Sequence, residues 1–360
     1  MRGYISTELP IVHPMMSRMR DWEFKIEAHK KFVRLTSDNR ALFFALLGKE
    51  SDLDSYVTSP VYYAMTGRKG LWIYQDGNSY VPLCWHPNVD GQILVFPPRG
   101  AENIRIMDRL LTEIPMPPSG IRLARLQKSM NNSAWFSNIE GTSERFISLL
   151  PVEETVLDWK YPVRIMSTAD VTKMQGNHHL RTRNYIKNLH LRKIDIKQLS
   201  DASESQILNF VYRWANQRTS DVNELINLID PYKQTLNLLH DENFNLDGLI
   251  VRVDGHIQAV TMWEYPNSAN RIANAWIHLC NTSSFKGISE LAMQETSKAL
   301  YEQGIPYINY GGSETQGLDN YKRKFRPAYS VELTSIDVDV DGVDLILDSL
   351  FRFSEERVAA

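Results

Sequence analysis

A chain of 360 residues, 43% apolar and 23% charged, has room for two ordinary domains and is too apolar to be disordered. Its formal net charge of −3 excludes a global attraction to nucleic acid, so any such contact needs a local basic patch. No apolar run reaches the roughly 18 residues that span a bilayer. The opening MRGYISTELPIVHP has neither an apolar core nor a cleavage signal, so the expectation is a cytoplasmic protein without integral membrane association. Cys84 and Cys280 sit in strand-like apolar contexts without metal-ligand spacing and read as reduced core residues.

Residues 1–20 read as an irregular lead-in. Residues 38–47 read as a short helix with Asp38 as a cap and Phe43, Phe44 and Leu47 on one face. Residues 59–63 are ambiguous. Strands over 71–74 and 80–85 flank Asp76-Gly77, a hairpin signal. A third strand at 92–96 leads through Pro97-Pro98-Arg99-Gly100 to an amphipathic helix over 102–114 and a strand over 121–126. Residues 137–157 read as the join between two halves. A helix starts at 169–174, and residues 178–191 (HHLRTRNYIKNLHL) form a strongly basic one. Further helices are expected over 203–218 and 230–243, then a hairpin over 249–253 and 257–265 around Asp254-Gly255.

Residues 273–329 carry the densest signal. A buried strand (273–279), a loop with Lys286-Gly287, a helix (289–302) closed by Gly304, and a second strand (305–310) form a crossover unit, so the two strands should be parallel neighbours. The second strand runs into Gly311-Gly312 and then Lys322-Arg323-Lys324. A strand over 331–338 and a terminal helix over 344–353 complete the chain. The halves echo one another: LWIYQDGNSYVPLCWHPN at 71–88 matches the order of LIVRVDGHIQAVTMWEYPN at 249–267. In each half a third strand, a basic residue plus Gly (Arg99-Gly100; Lys286-Gly287), a helix and a last strand follow. This is the mark of an internal duplication.

That element order resembles the acyltransferase fold of the GNAT superfamily. Its duplicated form is similar to the phosphatidylglycerol lysyltransferase C-terminal-domain family and to the FemABX-like aminoacyltransferases. The resemblance rests on three motifs. They are Asp170-Val171 through Met174-Gln175-Gly176 to Arg181-Thr182-Arg183-Asn184; Phe285-Lys286-Gly287-Ile288; and Ile308-Asn309-Tyr310-Gly311-Gly312 followed by Gln316-Gly317-Leu318-Asp319 and Tyr321 to Pro327. It implies an α+β fold of two tandem GNAT-like domains, at 1–150 and 151–360. Each would be a mixed, mostly antiparallel sheet flanked by helices, with the active site in the second. It also implies transfer of an acyl or aminoacyl group to an amine or hydroxyl. In this fold the two parallel strands splay at the acyl-binding cleft, so residues at their ends are the site candidates.

The catalytic candidates are His278 as a general base, Asn309 and Tyr310 at the end of the second strand, Tyr321 as a proton donor, and Asp319 as a partner for an amino group. The donor-binding candidates are Arg181, Arg183, Asn184, Lys286, Gly287, Gly311, Gly312, Glu314, Lys322, Arg323 and Lys324. Each has a plain alternative: a packed histidine, core tyrosines, solvated charges, a tight turn. No metal is expected, since His178 and His179 lack partners at ligand spacing. No tightly bound cofactor is expected either. Two basic segments beside one cleft fit aminoacyl-tRNA as co-substrate, gripped through its phosphates, and a small-molecule acceptor. Acyl-coenzyme A or the phosphopantetheine arm of an acyl-carrier protein is the alternative donor, and a non-catalytic RNA- or partner-binding scaffold is a third reading.

Overall fold

In the computed structural model, which describes residues 14–50, 52–100, 103–127, 146–152, 160–266 and 271–341, the strands form two seven-stranded sheets. The first half contains helix α1 (Pro14–Glu27), strand β1 (Phe32–Arg34), α2 (Arg40–Leu47), α3 (Pro60–Thr66), β2 (Leu71–Asp76), β3 (Ser79–Trp85), β4 (Ile93–Val95), α4 (Asn103–Glu113), β5 (Ile121–Gln127) and β6 (Phe146–Val152). The second contains β7 (Val163–Ser167), α5 (Thr168–Lys173), α6 (Leu180–Leu189), β8 (Ile194–Gln198), α7 (Glu204–Asn216), α8 (Val222–Leu238), β9 (Leu246–Val253), β10 (His256–Glu264) and β11 (Ile272–Cys280). It continues through α9 (Ile288–Glu302), β12 (Tyr307–Asn309), α10 (Gln316–Arg323) and β13 (Tyr329–Val331) to β14 (Leu333–Asp341).

The sheet orders are β1-β2-β3-β4-β5-β14-β6 and β8-β9-β10-β11-β12-β7-β13. They correspond slot by slot in pairing sense. In each, three antiparallel pairings are followed by one parallel pair joined through a helix, β4 with β5 and β11 with β12. The slots beyond differ in origin. Beside β12 lies β7, from the start of the second half; beside β5 lies β14, which follows the second half in sequence. The strand expected over 331–338 therefore closes the first sheet, and sheet membership does not follow one cut at residue 150.

Local chemistry explains the anticipated elements. Asp254 and Gly255 both have positive φ, the two-residue hairpin turn whose twist matches its strands. Helix α9 turns Ile288, Leu291, Ala292, Met293, Thr296 and Leu300 inward, and its apolar members pack on the second sheet. Each large aliphatic side chain buried there contributes about 1.5–3 kcal/mol.

Other elements depart from expectation. Residues 14–20 belong to α1, which buries Met19, Trp22 and Ile26. Helix α2 starts at Arg40 after Asn39, so Asp38 is not its cap. Ser59 accepts a bond from the Tyr62 N–H and starts α3, which resolves the ambiguous 59–63 stretch. Strands β7 and β8 were not anticipated. The helix expected over 230–243 begins at Val222, capped by Asp221, and passes through Pro231. The terminal helix expected over 344–353 lies outside the described residues.

The halves meet through side chains of both. Tyr56 and Tyr62 pack on Trp276, and Phe44 on Phe244. Arg40 pairs with Asp241 at 2.7 Å.

Candidate active site

The parallel pairing of β11 and β12 lasts three residues and ends at Asn274 opposite Asn309. Beyond that point β11 stays paired with β10 as far as Cys280, while the other chain turns away through Gly311-Gly312. The strands part there, at the place where the resemblance puts the acyl-binding cleft. A bulge at Trp276 reverses the alternation of β11: Met262 faces Ile277, but Trp263 faces Ala275. Ala273 and Ala275 therefore face the α9 side before the bulge, and His278 and Cys280 face it after. Without that extra residue His278 would point to the other face of the sheet.

His278 Nε2 lies 3.1 Å from Ser289 Oγ, in the first turn of α9, and Ser289 Oγ lies 2.6 Å from the Tyr321 hydroxyl on α10. His278 Nδ1 is buried and has no partner. Burial, helped by the nearby Lys322 charge, pushes the imidazole down to about 4, so it is neutral at physiological pH. Burial pushes the Tyr310 and Tyr321 hydroxyls up, and the Cys280 thiol up to about 12. The cleft thus holds a neutral imidazole able to take a proton, linked through one hydroxyl to a phenol able to give one. Tyr310 stands edge-on to His278 at 5.8 Å between ring centres, its hydroxyl unpartnered.

Four further candidates are each held by partners of their own. Lys322 is buried, not a solvent-facing phosphate ligand: its ammonium donates to the Gly311 carbonyl at 3.2 Å and to that of Gly312, pinning the turn. Burial lowers it to about 8 against the pull of Glu314 and Asp319. Lys324 pairs with Glu290 at 2.5 Å and sits 4.1 Å from the centre of the Tyr321 ring. Asp319 is held by Arg164 in a two-pronged ion pair at 2.8 and 3.0 Å, so it is not free to receive an amino group. Asn309 is fully buried, donating to Ser55 of the first half and accepting from the Gly311 N–H. It ties the seam to the turn and does not face the cleft.

The donor-side candidates split in the same way. Arg183 donates to the carbonyls of Met174 and Gly176, holding the loop before α6. Arg181, Asn184, Lys286, Glu314 and Arg323 are exposed. Arg181 donates to the Tyr185 hydroxyl at 2.6 Å and Lys286 lies 4.6 Å over the same ring, beside the N-terminus of α9. Gly287, with φ +94°, comes so close to α6 that a Cβ there would meet the Tyr185 carbonyl oxygen at 2.8 Å. Sequence reasoning missed Ser289, Glu290 and Arg164. Only the position of Ser289, two residues past Gly287 at a helix start, could have marked it.

Among the described residues the first half shows no such opening. Its parallel pairing ends at Val95 opposite Leu123, and two residues on, where the second half has Gly311 at φ +68°, stands Arg125 at φ +57°. Arg125 is wholly buried, makes two 2.6 Å bonds to Asp54, and lies against the rings of Tyr56 and Tyr62. The same backbone turn occurs in both halves, with a plug in one and an opening in the other.

The family profile described as phosphatidylglycerol lysyltransferase, C-terminal, matches residues 163–333, the half that holds the cleft. This half is similar to that family. The profile matched is that of a transferase domain. A conserved protein of unknown function from Bacteroides thetaiotaomicron is similar over 86% of this chain and 99% of its own, at 16% identity and a TM-score of 0.63. The structure titled L-PGS from Bacillus licheniformis is similar over 89% and 97%, at 10% identity and TM-score 0.55. FemX is similar over 85% and 96%, at 11% identity and TM-score 0.52. At these identities the likeness is one of fold. No curated protein sequence matches. Among the described residues no helix is long and apolar enough to cross a membrane.

Proposed function

We propose that this protein is an aminoacyltransferase that takes an aminoacyl group from aminoacyl-tRNA and passes it to a small amine, hydroxylamine or hydroxyl acceptor. The observation that carries the reading is the His278–Ser289–Tyr321 hydrogen-bond chain, set where the parallel strands part. Attack of an amine on an ester carbonyl requires loss of a proton from the nucleophile and gain of one by the departing ribose hydroxyl. His278, neutral and directed into the cleft, takes the first proton. Tyr321, kept protonated by burial and linked to His278 through Ser289, returns one to the leaving oxygen. The exposed Arg181 and Lys286 at the mouth suit the phosphates of an RNA acceptor end. The family's own description as a lysyltransferase supports an aminoacyl group as cargo.

The test is filter retention and transfer with charged tRNA, uncharged tRNA and acetyl- or long-chain acyl-coenzyme A, repeated for the double variant Arg181→Glu/Lys286→Glu. Salt-sensitive retention of tRNA that the variant loses, with His278→Gln retaining tRNA but not transferring, is the expected result. Stabilisation by a coenzyme A thioester with no tRNA retained would replace the donor in this reading.

A further inference from the structure

The loop between α5 and α6 and the end of α10 border an open pocket of about 260 Å³, lined by Asp170, Lys173, Gln175, His178, His179, Phe325 and Arg326, most of them exposed. Two permanent cations face one carboxylate, and two imidazoles complete the polar wall. His179 is only 3% exposed, and its buried Nδ1 has no hydrogen-bond partner. The rings of His178 and His179 are 4.1 Å apart.

The backbone around this pocket is constrained. Met174 has φ +42° and Arg326 φ +54°, left-handed conformations that side chains with a Cβ rarely adopt. Arg183 holds the Met174 and Gly176 carbonyls in place from behind. Strained positions held by several contacts beside an unsatisfied buried donor or acceptor are what a preorganised ligand site requires. Donors outnumber acceptors: Lys173, Arg326, the Gln175 amide and the imidazole N–H groups stand against the single carboxylate of Asp170. Burial, and the positive charges of His178, Arg326 and Arg183, push the His179 imidazole down, with Asp170 opposing them. An anion in the pocket would reverse that balance. Lysine and arginine in the wall exclude a metal cation.

The geometry points to a phosphate-binding site here, in which Arg326, Lys173 and the paired imidazoles of His178 and His179 enclose one phosphate group. The site is separate from the His278 cleft and stands without the transfer reading, because its occupancy is measured with no acyl donor present.

The experiment follows the His178 and His179 ring signals by NMR while inorganic phosphate is added to the intact protein. The same titration is run on Arg326→Asn, which suits a left-handed backbone, and on Lys173→Gln. The expected result is a saturable shift of both imidazoles, weakened about tenfold in each variant, the loss of one charge-assisted hydrogen bond. Competition by an RNA hairpin bearing a 5′-phosphate, but not by its dephosphorylated form, would assign the occupant as a nucleic-acid terminus. Competition by neither hairpin would assign it as a small phosphate. Imidazole signals that phosphate leaves unmoved, or moves equally in wild type and both variants, would overturn the site.

Discussion

Acidification should unfold this protein through its histidines, and His278 allows the effect to be isolated. An ordinary imidazole titrates near 6.5; in the fold burial pushes His278 and His86 down to about 4. Between those values the unfolded chain binds more protons than the native one, so stability falls as pH falls through that window. Each group contributes its full share above about 6.5 and loses it on the way to 4. The linkage integral gives about 2 kcal/mol per histidine between pH 7 and 5, and about 3 kcal/mol by pH 4. Glu264 and Asp52, whose carboxyls burial raises, act in the opposite sense and stabilise the native state on acidification. Urea unfolding at a series of pH values, for wild type and His278→Gln, reads the His278 share directly. The glutamine keeps a hydrogen-bonding group toward Ser289 and cannot titrate. The variant should lose about 2 kcal/mol less than wild type from pH 7 to 5. Parallel curves for the two proteins would refute the burial and neutrality of His278, and with them its role as a proton acceptor.

At pH 7 the same variant should keep its fold yet lose about 10²–10⁴-fold in transfer rate, checked by single-turnover kinetics beside a thermal melt. Asp54→Ala removes the carboxylate that pairs with buried Arg125 and should cost about 3–5 kcal/mol, measured by denaturant unfolding, whereas replacing both residues by apolar ones should recover much of it. Gly287→Ala forces a Cβ against the Tyr185 carbonyl at a left-handed position, and should cost about 1–3 kcal/mol and disturb Ser289; a melting temperature equal to wild type would count against the close approach. Asn309→Ala removes bonds to Ser55 and Gly311 and should lower stability by about 1–3 kcal/mol. If it abolished transfer without affecting stability, Asn309 would belong in the cleft after all.

Much of the second half could be read in the chain. The crossover unit, both Asp-Gly hairpins and the helix after Lys286-Gly287 follow from periodicity and turn chemistry, which act between residues a few positions apart. Their places at strand ends brought His278 and Tyr310 forward, and the third family motif Tyr321, on the same local grounds. The ion pair Arg125–Asp54 gave no such signal, because 71 positions separate its members.

Tertiary structure decided the rest. A single extra residue at Trp276 sets which face of β11 carries His278, and pleat parity cannot be counted without knowing where the partner strand bulges. The basic run 322–326 reads as one charged surface, but α10 turns Lys322 inward onto two carbonyls and leaves Arg323 outside, since only packing chooses the buried face of so short a helix. The slot beside β5 is filled by a strand some 200 residues away, and that pairing is specified by the shape of the open sheet edge and by nothing adjacent to either strand. Local sequence determined which elements form; the long-range pairings determined that one of two equivalent openings is plugged by Arg125 and the other is left as a cleft.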